Sequence, residues 1–160
     1  MNKADLITPK GYRLLQEEEN FLWRIERPEI TAKVAWAASL GDRSDNADYQ
    51  TNKAKLRKIH SRVRFLRKRL AILQVIDYAK SQEGKIYFGA WVTIEDEDEN
   101  TKTFQIIGSD EVYKHAAPCS INSPLARALV GKQVGDEVKV TSPNGTMHYG
   151  ILDITYRQER

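Results

Sequence analysis

The sequence predicts an α+β protein: an N-terminal antiparallel two-helix coiled coil, then a small antiparallel sheet domain with one short helix. Three observations lead there. Apolar residues recur at helical spacing through the first half. After residue 78 the pattern changes to short β-rich runs separated by Gly, Pro and acidic turns. Charge divides along the same line: residues 1–80 hold 17 Lys and Arg against 10 Asp and Glu, and residues 81–160 hold 8 against 12. With 160 residues, 41% hydrophobic and 29% charged, the chain has room for one ordinary ordered domain or two small ones.

Residues 9–38 read as the first helix. Thr8 can cap it, Pro9 suits the first helical position, and Glu17-Glu18-Glu19 lies in its early turns. Leu15, Leu22 and Ile25 mark an apolar stripe that resumes, one residue out of phase, at Ile30, Val34 and Ala37. The slip falls around Pro28, where a missing amide donor should bend the helix. The second helix, about 46–77, carries Leu56, Ile59, Val63, Leu66, Leu70 and Leu73 at alternating spacings of three and four, a heptad seam. So short a connection makes the two helices antiparallel. Thirty residues at about 1.5 Å each give a rod of roughly 45 Å, with a tip.

The second half begins after the polar break Ser81-Gln82-Glu83-Gly84. Ile86-Tyr87-Phe88, Trp91-Val92-Thr93-Ile94 and Thr103-Phe104-Gln105-Ile106-Ile107 read as strands, the last two joined by an acidic turn at 95–100. Gly108-Ser109-Asp110 turns again. Ser123-Pro124 opens a short helix over 125–130, and Gly131 ends it. Val138-Lys139-Val140, the turn Pro143-Asn144-Gly145 and a strand over 149–154 complete an antiparallel sheet. The expected domains are 1–78 and 83–158.

Several function classes lose support at once. No apolar run approaches the roughly 18 residues that cross a bilayer, and the N-terminus lacks the apolar core of a secretory signal. The single cysteine, Cys119, allows neither an intrachain disulfide nor a multi-cysteine zinc site, so a reducing, cytoplasmic location is expected. Cys119 has no motif around it, and His60, His115 and His148 show no metal-binding spacing. No glycine-rich nucleotide loop occurs. Trp23, Trp36 and Trp91 are expected in packing, with Trp36, near the tip, the one placed to touch a partner.

Two features carry chemistry. The loop between the helices holds Asp42, Asp45 and Asp48 at spacing three. Two such carboxylates brought together can hold a hard divalent cation; equally, Asp42 and Asp45 resemble a helix-capping pair. The second feature is the helix that follows. From 51 to 70 it has nine basic residues and no acid: Lys53, Lys55, Arg57, Lys58, Arg62, Arg64, Arg67, Lys68 and Arg69. A solvated helical face interleaves opposite charges, because like charges one turn apart repel. Unrelieved repulsion here points to an external polyanion, bound through phosphates without sequence preference.

Longer runs carry a resemblance that covers nearly the whole chain. Phe21-Leu22-Trp23-Arg24 with Glu26-Arg27-Pro28-Glu29-Ile30, Trp36-Ala37-Ala38-Ser39-Leu40-Gly41-Asp42-Arg43-Ser44 and Asn46-Ala47-Asp48-Tyr49-Gln50 form one signature. Ser120-Ile121-Asn122-Ser123-Pro124-Leu125-Ala126-Arg127-Ala128-Leu129 with Gly135-Asp136 forms another. In both, the sequence resembles the bacterial Gre transcript-cleavage factors, and within them the GreB branch. The resemblance implies an N-terminal coiled coil and a C-terminal FKBP-like domain. The latter docks on RNA polymerase at its secondary channel, here through Ser120, Ser123 and Pro124, and the coiled coil enters the channel. Asp42 and Asp45 would then share Mg²⁺ with the polymerase, which itself cuts the 3′ end of backtracked RNA; the factor alone is not an enzyme. Ser44, Lys53, Arg57, Arg64, Arg67 and Lys68 would contact RNA or the channel wall, and the free factor is expected to be a monomer.

One departure matters. Asp45 stands where the family ordinarily has Glu, and its carboxylate falls short by roughly 1 Å, a displacement that can cost on the order of 100-fold in rate. The alternative reading is therefore a channel-binding regulator without cleavage stimulation. A prolyl isomerase would need an aromatic-lined pocket, and Tyr87, Phe88, Trp91, Phe104, Tyr113 and Tyr149 are mostly required by the domain's own core.

Overall fold

The structure is a computed structural model that describes residues 3–41 and 46–156. Its elements run β1 (Leu6–Ile7), α1 (Pro9–Phe21), a π-helical segment (Leu22–Glu26), α2 (Arg27–Ala38), α3 (Ala47–Ile72), β2 (Gln74–Val75), β3 (Trp91–Glu95), β4 (Thr101–Ile107), β5 (Pro118–Ser120), α4 (Pro124–Leu129), β6 (Glu137–Ser142) and β7 (Gly145–Thr155). The chain divides into a hairpin unit, Arg13–Ile72, and a sheet unit made of Met1–Tyr12 with Leu73–Arg160. The expected arm of 1–78 thus gives up both its ends. Leu6–Ile7 pairs in parallel with Gln74–Val75, which draws the N-terminus and the residues after α3 into the sheet unit.

In the hairpin unit the first helical stretch is continuous but not uniform. The Arg27 amide donates to the Leu22 carbonyl, five residues back, so the segment Leu22–Glu26 accommodates one extra residue. That insertion is the phase slip in the apolar stripe. It ends just upstream of Pro28, which stands second in α2 and has no N–H to offer the carbonyls of the preceding turn. The same insertion turns Ile25 outward: it is exposed, not on the stripe. Ile30, Ile59 and Val63 form the core here, with Leu22, Trp23, Val34 and Leu56 packed around them. Leu66 is fully buried. α3 stops at Ile72, not 77, and Leu73, the last residue of the predicted seam, belongs to the sheet unit.

The main sheet of this unit has five strands in the order β5-β4-β3-β7-β6. Three pairings are antiparallel; the fourth, β4 with β5, is parallel, with Gln105 opposite Pro118 and Ile106 opposite Cys119. Three residues of edge strand were too few to read from the sequence. The predicted strand 86–88 is absent. Those residues are instead tied to a loop, Ile86 N–H to the Lys132 carbonyl and Gly131 N–H to that of Ile86, and the chain turns at Gly89 with φ 91°. The predicted turn after Ile107 is a 3-10 helix, Ser109–Lys114. Core side chains alternate along the strands: Val92 and Ile94, Phe104 and Ile106, Ile151, with Leu129 from α4 beneath them.

The cap of α1 closes within this unit. The Gly11 amide donates to the Thr8 hydroxyl oxygen at 3.0 Å, as the sequence predicts for Thr8, and the hydroxyl donates onward to Glu111 at 2.5 Å.

Candidate functional site

The tip loop has both its stems described. α2 ends in tightened turns: the Ser39 amide donates to the carbonyls of Ala35 and Trp36, Leu40 to Ala37 and Gly41 to Ala38. Gly41, at φ 119°, takes a backbone conformation that other residues avoid. On the far side, Asn46 does two things. Its side-chain oxygen accepts the Tyr49 amide at 3.0 Å, which caps α3, and its side-chain nitrogen donates to the Ala37 carbonyl at 2.8 Å, which ties the start of α3 to the end of α2. Asp42, Arg43, Ser44 and Asp45 lie outside the described residues. The cap of α3 is Asn46. Among the sequence expectations Asn46 stands in a family signature and not as a cap, although an Asn at the start of a helix is the signal for one. Trp36 and Leu40, one turn apart beside this loop, are exposed, so Trp36 is not a packing residue.

Eight of the nine basic residues of α3 separate onto two faces. Lys55, Lys58 and Arg62 line a surface hollow together with Glu18, Glu26 and Glu29, so that face is largely charge-compensated. Arg62 makes a two-pronged ion pair with Glu18, at 2.7 and 3.0 Å. Relief of repulsion, absent along α3 itself, therefore comes from α1. The other face carries Arg64, Arg67 and Lys68 with Trp23, His60, Val63 and Ala71 around a hollow of about 550 Å³, and no carboxylate lines it. Lys53 and Arg57 follow the same four-and-seven spacing as Arg64 and Lys68; Arg57, Arg64 and Lys68 are exposed and Lys53 is partly so.

Arg67 has a second engagement. Its Nε donates to Glu19 at 2.9 Å and its guanidinium lies 4.6 Å from the Trp23 ring centre. Arg27 covers the same ring at 4.0 Å. Arg67, like Arg62, is thus already engaged within the hairpin.

In the sheet unit, Ser120, Ser123 and Pro124 lie together at the start of α4. The Ser123 hydroxyl accepts the Ala126 amide at 3.1 Å and caps the helix, with Pro124 in its first turn. The Ser120 hydroxyl accepts the Asn122 amide at 3.2 Å and lies 3.2 Å from that of Ser109. Both serines are thereby used in shaping the corner, and Pro124 presents the exposed side chain. Cys119 is buried behind them, and burial pushes its thiol pKa up. Among the described residues no three His, Cys, Asp or Glu side chains converge as a metal site, and no helix is long and apolar enough to cross a membrane.

Two family models match this chain: "Transcription elongation factor, N-terminal" over residues 5–75, and "Transcription elongation factor, GreA/GreB, C-term" over residues 81–156. The chain belongs to the GreA/GreB family of transcription elongation factors. It is 53% identical over 155 residues to transcription elongation factor GreB of Pseudomonas putida, covering 97% of this chain and 96% of that one. To the GreB of Vibrio cholerae it is 52% identical over 157 residues, 98% of each chain. A solved structure of the transcription factor Gfh1 aligns with 96% of this chain and 99% of its own at 22% identity, with a TM-score of 0.45. The first family region contains the whole hairpin unit together with residues 5–12 and 73–75 of the sheet unit, and the second contains the five-stranded sheet.

Proposed function

We propose that this elongation factor acts on bacterial RNA polymerase in the cytoplasm, as a monomer, by stimulating the polymerase's own cleavage of the 3′ end of backtracked RNA. The observation that carries this is the 53% identity, over nearly the whole chain, with a protein named for elongation. The hairpin enters the secondary channel, and the sheet unit docks outside it through the corner of Ser120, Ser123 and Pro124. The factor is not itself an enzyme.

The donor set suits Mg²⁺. Asp42 and Asp45 offer hard carboxylate oxygens, and they would hold the ion jointly with the polymerase, since two carboxylates cannot complete an octahedral shell. Bound there, the ion would supply charge stabilisation for phosphoryl transfer. This chain's own part is to present the two carboxylates on stems pinned by Asn46, and to hold RNA phosphates along Lys53, Arg57, Arg64 and Lys68, with Ser44 at the tip. The uncompensated basic face of α3 supports that second role.

RNA cleavage in a defined backtracked elongation complex with Mg²⁺ tests the reading. Native activity abolished by Asp42→Asn is the expected result. A native protein that binds but does not cleave, with cleavage appearing in Asp45→Glu, would establish the second reading, a channel-occupying regulator, which the shorter Asp45 favours.

A further inference from the structure

His60 stands within the basic row of α3, and the reading above gives it no part. Positions 53, 57, 60, 64 and 68 follow one another at spacings of four, three, four and four. At about 100° per residue they share a sector of about 80°, one face of the helix. Without position 60, Arg57 and Arg64 stand seven residues apart, a gap of roughly 10 Å along the axis. His60 divides that gap into two steps of about one turn each. Its side chain is exposed, so a ligand that follows the row meets it. The surroundings are cationic. The hollow of about 550 Å³ that His60 lines is also lined by Arg64, Arg67 and Lys68. From the π-helical segment, Trp23 sets its ring centre 5.8 Å from that of the imidazole, tilted by 45°. Arg27 of α2 covers the same Trp23 ring at 4.0 Å, and Glu19 of α1 is taken up by Arg67. Arg57 lies one turn before His60 on the same face. Among the described residues no carboxylate lines the hollow, so a charged imidazole here finds its anion outside the chain.

Imidazole is the side chain that gains or loses its charge between pH 5 and 8, whereas lysine and arginine ordinarily stay charged throughout that range. We infer that His60 is a further phosphate-contacting residue, and that it makes RNA binding along α3 tighten as the pH falls. This rests on the proposed seating of RNA on that face. A phosphate beside an imidazole favours its charged form, so binding takes up a proton. The coupling is reciprocal: the proton raises affinity for RNA by the factor by which RNA raises affinity for the proton. Each phosphate contact added to a single strand also steepens the fall of log affinity with log salt by about 0.7. The row therefore makes one more contact in acid than in alkali, and His60 is the member that changes.

The test is equilibrium binding of a labelled oligouridylate of about ten nucleotides, followed by fluorescence anisotropy at pH 6 and pH 8 over a range of salt. Native protein, His60→Gln and His60→Arg are compared. Native should bind about fivefold more tightly at pH 6 than at pH 8 in about 50 mM salt, with a salt slope steeper by about 0.7 at pH 6. His60→Gln should bind alike at both pH values, with the affinity and slope of native at pH 8. His60→Arg should also bind alike at both, with the affinity and slope of native at pH 6. A pH effect that survives in His60→Gln overturns the inference, because the proton then sits elsewhere. Equal native affinity at both pH values overturns it too. So does a failure of native protein to bind the oligonucleotide at either pH, which would leave this face of α3 to an acidic protein surface. RNA cleavage in the backtracked complex separates the inference from the function it rests on. If RNA binding follows the expected pattern and native protein does not stimulate cleavage, the proposed function falls and the role of His60 stands. If cleavage is stimulated and native RNA binding is the same at both pH values, the function stands and the role of His60 falls.

Discussion

Glu111 lies in the 3-10 turn Ser109–Lys114 and His115 directly follows it, and the two respond to pH in opposite senses. Burial raises the Glu111 carboxyl pKa, against the pull of its hydrogen bonds from Thr8 and Gly108. A raised acid contributes most stability at low pH and loses it as pH rises through the folded value. The stability of the native protein relative to Glu111→Gln should therefore be greater at pH 4 than at pH 7.5, read from urea denaturation at both. Glu111→Ala strands two buried amides and should cost about 3 kcal/mol or more by the same measurement. His115 runs the other way: burial, then Lys10, lowers its pKa. Its Nδ1 accepts the Ala117 amide at 2.9 Å, so the proton sits on Nε2 and is donated to the Gln105 side-chain oxygen at 2.8 Å. Protonating Nδ1 breaks the first of these bonds. Stability from His115 is thus present above its ordinary pKa of 6.5 and lost as pH falls through the folded value. An NMR titration should find this imidazole still mainly neutral at pH 6.5, and exchange of the Ala117 amide with solvent should accelerate, relative to neighbouring sheet amides, as it protonates.

At the level of elements, the π segment leaves a debt at Trp23. Its carbonyl would ordinarily accept the Arg27 amide, which goes to Leu22 instead, and the next candidate, Pro28, has no N–H. The Arg27 side chain fills the gap, donating from Nε at 3.0 Å while lying over the Trp23 ring. Arg27→Met should cost about 1–2 kcal/mol in thermal denaturation, and Arg27→Lys should not restore it, because an ammonium does not reproduce the planar guanidinium's combined stacking and hydrogen bond. Leu66→Ala, at a fully buried seam position, should cost about 2–5 kcal/mol. The seam itself was legible because heptad spacing reports local geometry. The stripe's phase slip is legible too, though not its form: a π insertion and a proline bend leave the same mark on hydrophobic periodicity. Short pairings such as β1 with β2, or β5 with β4, were illegible because two or three residues carry no period.

For the whole molecule, charge is the quantity that matters, and its placement matters more than its sum. Residues 1–80 carry a net charge of +7 and 81–160 one of −4. Along α3, among the described residues, carboxylates line the hollow at Lys55 and Lys58 and none lines the one at Arg64 and Lys68. Charge reversal at Lys53, Arg57, Arg64 and Lys68 should lower cleavage of long backtracked RNA while leaving polymerase docking intact. Reversal at Lys55 and Lys58, on the face shared with Glu18, Glu26 and Glu29, should do so far less. Loss of docking in the first set would make that face a protein-binding surface. Each phosphate contact removed should reduce the slope of log affinity against log salt by about 0.7, the single-strand value.

By itself the sequence determined the two-part architecture, the hairpin with its seam, the α1 cap at Thr8, the α4 boundaries and the placing of two carboxylates between two helices. All of these are written in spacing, capping residues or turn chemistry within a few residues of one another. Only the tertiary structure decided which basic residues are compensated, since Glu18 and Glu19 lie more than 40 residues from Arg62 and Arg67. It alone assigned the cap of α3 to Asn46. It also joined Glu111 to Thr8 across 103 residues of chain. Such pairings depend on which surfaces the fold brings within about 3 Å, the reach of a hydrogen bond, and no local pattern encodes that.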